Sequence, residues 1–460
     1  MKNSKLNRAI EYIKEDFVWA SLLAFVFFCG VSMPLARIFL LISAVGSLVR
    51  AIRQHSWARI SRPTIGWLTY FVLALVVSII ATCCLNDPQL NPSKGLGKID
   101  KLIWYIGIPI VALSVNSKER FVQLLRWYVI GCLIGAIIVI ISYPLKSWIM
   151  CNIPKVSHMK NPAVRETIPL LSQWLFYVTE FLGVGDDIWA EIRKYFAYRP
   201  SHMSEVFILQ GTMQEAQRFM VAVPAAFYLF IDACKQKLPC KQRFKQLITL
   251  LLIALALIFT CKRGPLLAVL VVMVPLVFYY FKRITVLVLG LFIAVVFLVP
   301  ASRARILELP EEFTIEKGGR YAMWTQIVPA VHEEHPYGIG FRSLTTEKML
   351  QHCPNMENFQ HSHVHSTPLQ ALVDFGWLGV AAYAFWYLFT IVSAVIYWKR
   401  GAGLYAVIPL VMFTSLALFG LVEYNLADGE IVLLYSSVMG LCDCAFLNSK
   451  YSKAQEKSIK

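Results

Sequence analysis

Charge is scarce in this chain. Only 16% of its 460 residues are charged, whereas 57% are hydrophobic. Soluble domains carry about a quarter charged residues, so an ordinary solvated surface is excluded. Cysteine patterning is missing as well. The eleven cysteines form no Cys-x-x-Cys pair that would suggest zinc. Most, such as Cys29, Cys132 and Cys442, sit inside apolar runs, where small apolar filler suits them better than a disulfide framework. The first apolar run is long and has no small-residue cleavage site, so no cleavable signal peptide is expected. There is no internal repeat and no low-complexity segment, which removes support for solenoids and repeat-built transporters.

What the chain does have is apolar runs of about 15 to 25 residues, recurring from end to end. These predict an all-α, polytopic helical membrane protein. About twelve spans are expected, near 17–33, 35–49, 65–84, 102–115, 121–143, 217–233, 246–261, 265–281, 284–301, 376–398, 404–423 and 430–447. They divide the chain into N-terminal spans (1–143), a first long loop (144–216), central spans (217–301), a second long loop (302–375), and C-terminal spans with a tail (376–460).

The net charge of +16 fits membrane topology rather than nucleic acid, because of where the charge lies. With the N-terminus in the cytoplasm, the cytoplasmic segments include 50–62, 233–246, Lys282-Arg283, Lys399-Arg400 and the lysine-rich tail, all strongly basic. The two long loops then fall outside. The first has seven basic and seven acidic residues, and 302–366 has six and eight. That asymmetry follows the positive-inside rule and places both termini in the cytoplasm. One outer loop, 85–101, departs from it with Lys94, Lys98 and Lys101, either as a local accident or to face an anionic lipid.

Within the first long loop, 168–196 has apolar residues at about helical spacing, including Trp174, Phe176, Tyr177, Phe181 and Trp189. It reads as a helix at the membrane interface or one packed on the loop. The second loop carries most of the candidate chemistry. Arg263, in Lys262-Arg263-Gly264-Pro265, marks a sharp outer turn between spans. It can snorkel to headgroups, or grip phosphate with its fork. Arg320 follows Gly318-Gly319 and opens a helix, where it can pair with Glu308, Glu311, Glu312 or Glu316 or contact a ligand. His361, His363 and His365 alternate. Extended, they share a face that can bind zinc; alternatively, one of them serves as a general base for a hydroxyl.

Arg263-Gly264, Arg320-x-x-x-Trp324, the run Pro336 to Phe341 (PYGIGF), and His365-Ser366 followed after nine residues by Gly376 resemble the O-antigen ligase and polymerase superfamily. The last pattern is similar to the signature of the ligases in particular. The resemblance covers about 246–425, while the N-terminal third is similar only in topology and the 144–216 loop departs from the family's usual pattern.

The resemblance implies a GT-C-like, integral-membrane glycosyltransferase of the bacterial inner membrane, with a periplasmic active site. The donor would be a glycan on undecaprenyl pyrophosphate and the acceptor a sugar hydroxyl of lipid A-core, with no nucleic-acid partner, no cofactor and no metal. His365 would be the general base of an inverting transfer. Arg263 and Arg320 would hold the pyrophosphate, with Arg218 and Lys98 as additional candidates; His361 and His363 would orient His365 or meet the acceptor. A polymerase, which extends lipid-linked repeats with the same donor, is the near alternative. A polysaccharide or lipid transporter is the alternative of another class, and it predicts ionisable groups mid-span on interrupted helices. Arg37, Arg126, Asp374 and Glu423 instead fall near expected span ends.

Overall fold

In lipid, a backbone satisfies its own N–H and C=O groups only as helix or closed barrel. Helix is what these runs form. The computed structural model describes residues 16–54, 60–152, 212–260, 262–282, 285–298, 319–354, 362–426, 428–429 and 431–448, with isolated positions 303, 307 and 310. No strand occurs among them. Among the described residues, seven helices are long and apolar enough to cross a membrane, and four shorter apolar helices accompany them. The chain is an all-α, polytopic membrane protein.

Near the N-terminus run α1 (Phe17–Cys29), α2 (Met33–Gln54) and α3 (Arg62–Cys84). Asp16 caps α1 by accepting from the Trp19 N–H. The expected span at 102–115 is not one helix. After a short α4 (Pro92–Leu96), it is divided into α5 (Asp100–Ile103), a 3-10 turn (Trp104–Ile106) and α6 (Gly107–Ser114). α7 (Lys118–Asn152) continues beyond the expected end at 143. The interface helix expected at 168–196 lies outside the described residues, as does His361.

The central helices are α8 (Thr212–Lys235), α9 (Cys240–Phe259), α10 (Arg263–Phe281) and α11 (Thr285–Leu298). The C-terminal ones are α15 (Thr367–Tyr397), α16 (Leu404–Gly420) and α17 (Ile431–Cys442). α8 and α17 are the most deeply buried spans, whereas α3 and α9 keep residues such as Val72, Val76, Ile80 and Leu251 exposed. Exposed aliphatic side chains on a spanning helix suit lipid contact.

Between α11 and α15 lie the short elements that build the site: α12 (Arg320–Ala322), a π-turn (Met323–Ile327), α13 (Val328–Glu334) and α14 (Thr346–His352). They enclose a small apolar core of their own, including Met323, Ile327, Val331, Ile339, Met349 and Val364. A buried lysine fastens its rim. Lys348 Nζ lies 2.8 Å from Asp87 Oδ2 and 2.5 Å from Glu334 Oε2. Asp87, Glu334 and His335 are close enough together to hold a metal ion, but the Lys348 ammonium already supplies the positive charge there.

α15 begins at Thr367, nine residues before the expected 376, with Pro368 in its first turn. Asp374 is fully buried inside this helix. Two positions later the helix breaks, at Gly376, with φ 63° and ψ −160°. That break releases carbonyls, and the PYGIGF turn takes them. Ile339 N–H donates to Val373 O at 3.1 Å, and Gly340 N–H donates to Asp374 O at 2.9 Å. A Cβ on Gly376 would stand 2.4 Å from Pro336 O. Gly376→Ala therefore meets a left-handed backbone and a backbone clash together, at about 1–3 kcal/mol for the strain alone. The expected result is a lower melting temperature for the detergent-purified variant.

Candidate active site

The break at Gly376 and the turn docked on it hold the segment that enters α15. At its centre Val364, fully buried, separates His363 from His365. Both of its backbone groups are claimed. Its N–H donates to Gln370 Oε1 at 2.9 Å, and its carbonyl accepts from Trp324 Nε1 at 2.8 Å. Gln370 is held in turn, its Nε2 donating to Asp374 Oδ1 at 2.7 Å. Trp324→Phe leaves a buried carbonyl without its donor, an expected loss of about 1–3 kcal/mol, read by thermal denaturation.

The two histidines flanking Val364 converge on one carboxylate. His365 Nδ1 is 2.8 Å from Glu423 Oε1, and His363 Nε2 is 3.7 Å from the same oxygen. The imidazole centroids are 4.3 Å apart. Arg320 Nη2 donates to Glu423 Oε2 at 3.3 Å. His365 adopts φ 48°, in the left-handed region that histidine tolerates better than most side chains. Strain of this kind costs about 1–3 kcal/mol and collects at functional sites.

Glu423 lies in the connection after α16, only 8% exposed. Thr367 ties this connection to the start of α15. Its Oγ1 donates to Glu423 O at 2.9 Å and accepts from the Asn425 N–H at 3.2 Å. Burial alone would raise the Glu423 pKa. Hydrogen bonds from His363 and His365, with the charges of His365 and Arg320, outweigh it and hold the carboxyl well below its usual value. At His363 burial wins: despite its bond to Glu423, its pKa is lowered, with the His365 and Arg342 charges adding to the effect.

Of the residues expected from sequence, the structure brings together His365, His363 and Arg320. Arg320 pairs with Glu423; Glu308, Glu311, Glu312 and Glu316 lie outside the described residues. Arg263 opens α10, and the next residue, Gly264, packs on Phe419, four positions before Glu423. Arg218 is buried within α8, where its backbone carbonyl accepts from Tyr128 Oη at 2.8 Å. Lys98 lies between α4 and α5, within the field of Arg342. Ligand atoms of His363, His365 and Glu423 lie within 4.8 Å of one another, near enough to share a cation. Glu423, however, already accepts from His365, Arg320 and the Tyr424 N–H, so its acceptor capacity is largely spent.

Glu423 is the member of this cluster that sequence reading did not assign. Its only signal was a lone carboxylate at a span end, with no spacing that links it to a histidine 58 positions away.

Residues 248–384 match the family model described as O-antigen ligase. That match supports a likeness to the O-antigen ligase and polymerase family over this stretch. Compared with curated proteins, it matches none. The O-antigen ligase stretch contains Arg263, Arg320, Trp324, the PYGIGF turn, His363, His365 and Gly376, and ends before Glu423. Members of that family are membrane enzymes of the glycosyltransferase kind, whose partners are in general lipid-linked polysaccharide and lipid A-core.

Proposed function

We propose that this protein is an O-antigen ligase. It transfers a glycan from undecaprenyl pyrophosphate to a sugar hydroxyl of lipid A-core on the periplasmic face of the bacterial inner membrane. The observation that carries this reading is the bond between His365 Nδ1 and Glu423, whose other oxygen meets Arg320. With Nδ1 on the carboxylate, Nε2 is the nitrogen that takes the acceptor proton. The acceptor oxygen then attacks the anomeric carbon from the face opposite the pyrophosphate. A new C–O bond forms, the bond to the leaving phosphate oxygen breaks with its electron pair, and the configuration inverts.

Glu423 fixes the imidazole orientation and stabilises the charge arriving on it. Arg320 meets Glu423 through Nη2, and its planar guanidinium fork has the geometry that suits the leaving phosphate. Arg263 is the second arm of that clamp, and together they stabilise the charge growing on pyrophosphate. Arginines in this role make a metal ion unnecessary. The basic segments 50–62 and 233–246 support a cytoplasmic assignment for the opposite ends of the spans and for both termini.

Complementation tests the reading. In a ligase-deficient strain, the protein is expected to restore the lipopolysaccharide ladder, and purified protein is expected to transfer glycan in the presence of a chelator. Rescue of a polymerase-deficient strain instead would make it a polymerase. Movement of lipid-linked glycan across vesicles without a glycosylated product would make it a transporter.

A further inference from the structure

A chain of buried groups leads from the PYGIGF turn to His365. The turn crosses α15 where the Gly340 N–H donates to Asp374 O at 2.9 Å. It lies so close that a Cβ on Gly338 would stand 2.4 Å from that same carbonyl. The Asp374 side chain accepts from Gln370 Nε2 at 2.7 Å, four positions away on the same helix face. Gln370 then holds the histidine segment from both flanks. Its Oε1 accepts from the Val364 N–H at 2.9 Å, and its own N–H donates to Ser366 O at 2.8 Å. His365 is the residue between them.

We infer that Gln370 and Asp374 are positioning residues for His365, through which the PYGIGF turn sets where its imidazole meets Glu423.

Gln370 and Asp374 are both completely buried, so bulk water does not compete for their polar atoms. An amide can face either way round, and only one of the two presents oxygen to the Val364 N–H. Asp374 Oδ1 takes the NH₂ end, which leaves the oxygen for Val364. His365 needs this hold. Its backbone is left-handed, φ 48°, and a chain freed at Val364 relaxes toward negative φ. That relaxation swings Cβ and draws the ring away from the carboxylate that Nδ1 now reaches at 2.8 Å. The bond to Ser366 is the ordinary first bond of a helix; the bond to Val364 is what the Gln370 side chain adds. Gln370 and Asp374 carry no proton in the reaction, and their effect passes through the backbone on either side of His365. The catalytic consequence rests on the ligase reading, whereas the hold on Val364 does not.

The experiment uses the full chain in nanodiscs, with undecaprenyl-pyrophosphate-linked glycan as donor and lipid A-core as acceptor. Gln370→Leu keeps the size and loses the amide. Gln370→Glu sets carboxyl against carboxyl. Gln370→Glu with Asp374→Asn restores a donor–acceptor pair with the roles exchanged. Displacing a catalytic group by about 1 Å costs about 10²-fold, and kcat is expected to fall by about that factor in both single variants. The donor KM should stay within about twofold, and the double variant should recover to within about tenfold in kcat. Deuterium exchange at the Val364 amide, read by mass spectrometry, should quicken about tenfold in Gln370→Leu. Single variants with kcat within about threefold of the unsubstituted protein overturn the inference. So does a loss that only tracks the folded fraction, or a double variant that regains its melting temperature and not its turnover; either makes the pair fasteners of the fold. Should Gln370→Leu fail to fold, Gln370→Glu against the double variant decides in the same way. A protein that transfers nothing to lipid A-core overturns the ligase reading, and exchange at Val364 then judges the hold on the histidine by itself: faster exchange in Gln370→Leu upholds it, unchanged exchange overturns it.

Discussion

His365→Asn is expected to abolish transfer while the protein stays folded. Asparagine is the replacement that isolates the chemistry. Like histidine, it accepts the left-handed backbone at this position, φ 48°, where alanine would be strained. Its amide can still donate to Glu423, so the buried carboxylate keeps a partner at the point where the imidazole now lies at 2.8 Å. What it cannot do is accept a proton and carry it. General-base catalysis contributes about 10²–10⁴-fold, equivalent to about 2.7–5.5 kcal/mol of barrier. The expected result is a loss of that size in turnover of purified protein. Donor affinity should hold, and the melting temperature should stay within a few degrees. In a ligase-deficient strain the ladder should vanish at equal membrane expression. Turnover within tenfold of the unsubstituted protein would remove His365 from the base role and leave His363, on the same carboxylate, as the candidate.

The reason a reader of the sequence finds His365 but not Glu423 is physical. Hydrocarbon thickness dictates span length and a lipid environment dictates helix, so the apolar runs of α1, α3 and α8 declare themselves. Periodicity does not reveal where a helix will be broken and re-satisfied from elsewhere. α15 shows this. Its apolar run suggests a start at 376, yet the helix begins at Thr367 and breaks at Gly376, because the PYGIGF turn supplies donors for the freed carbonyls. Each motif was visible in the sequence, and their union was not. Arg320 and Trp324, four residues apart, serve different partners, Glu423 and Val364 O. Such a division of labour follows from the three-dimensional approach of three segments, which spacing along one segment cannot encode. Asp374, two residues before the break, lies buried on Gln370, a partner that no apolar periodicity reveals.

Glu423→Gln tests the part of the centre that only the structure reveals. The side chain keeps its shape and loses its charge, and the amide can offer a single oxygen where the carboxylate offers two. Either His365 or Arg320 then faces an NH₂ group, donor against donor. Where a carboxylate orients a catalytic histidine in serine hydrolases, the amide replacement costs about 10⁴-fold. A loss approaching that size in turnover is expected here, with a smaller change in donor affinity, because Arg263 is untouched. Acid stability supplies an independent readout. Glu423 has its pKa lowered by folding, so its ion pairs add stability above the ordinary carboxylate value of about 4.3, and that stability is lost as pH falls through the lowered folded value. His363, whose pKa is also lowered, acts in the same sense from about pH 6.5 downward, since the unfolded chain binds its proton first. The unsubstituted protein should therefore lose melting temperature progressively from about pH 6.5, and more steeply below about pH 4.3. Glu423→Gln should melt lower at pH 7 and lack the second, steeper loss. A variant that melts lower but transfers normally would make Glu423 a fastener of the connection after α16 and nothing more. Loss of transfer with the acid-dependent step removed would make the carboxylate the group through which Arg320 and His365 act as one unit.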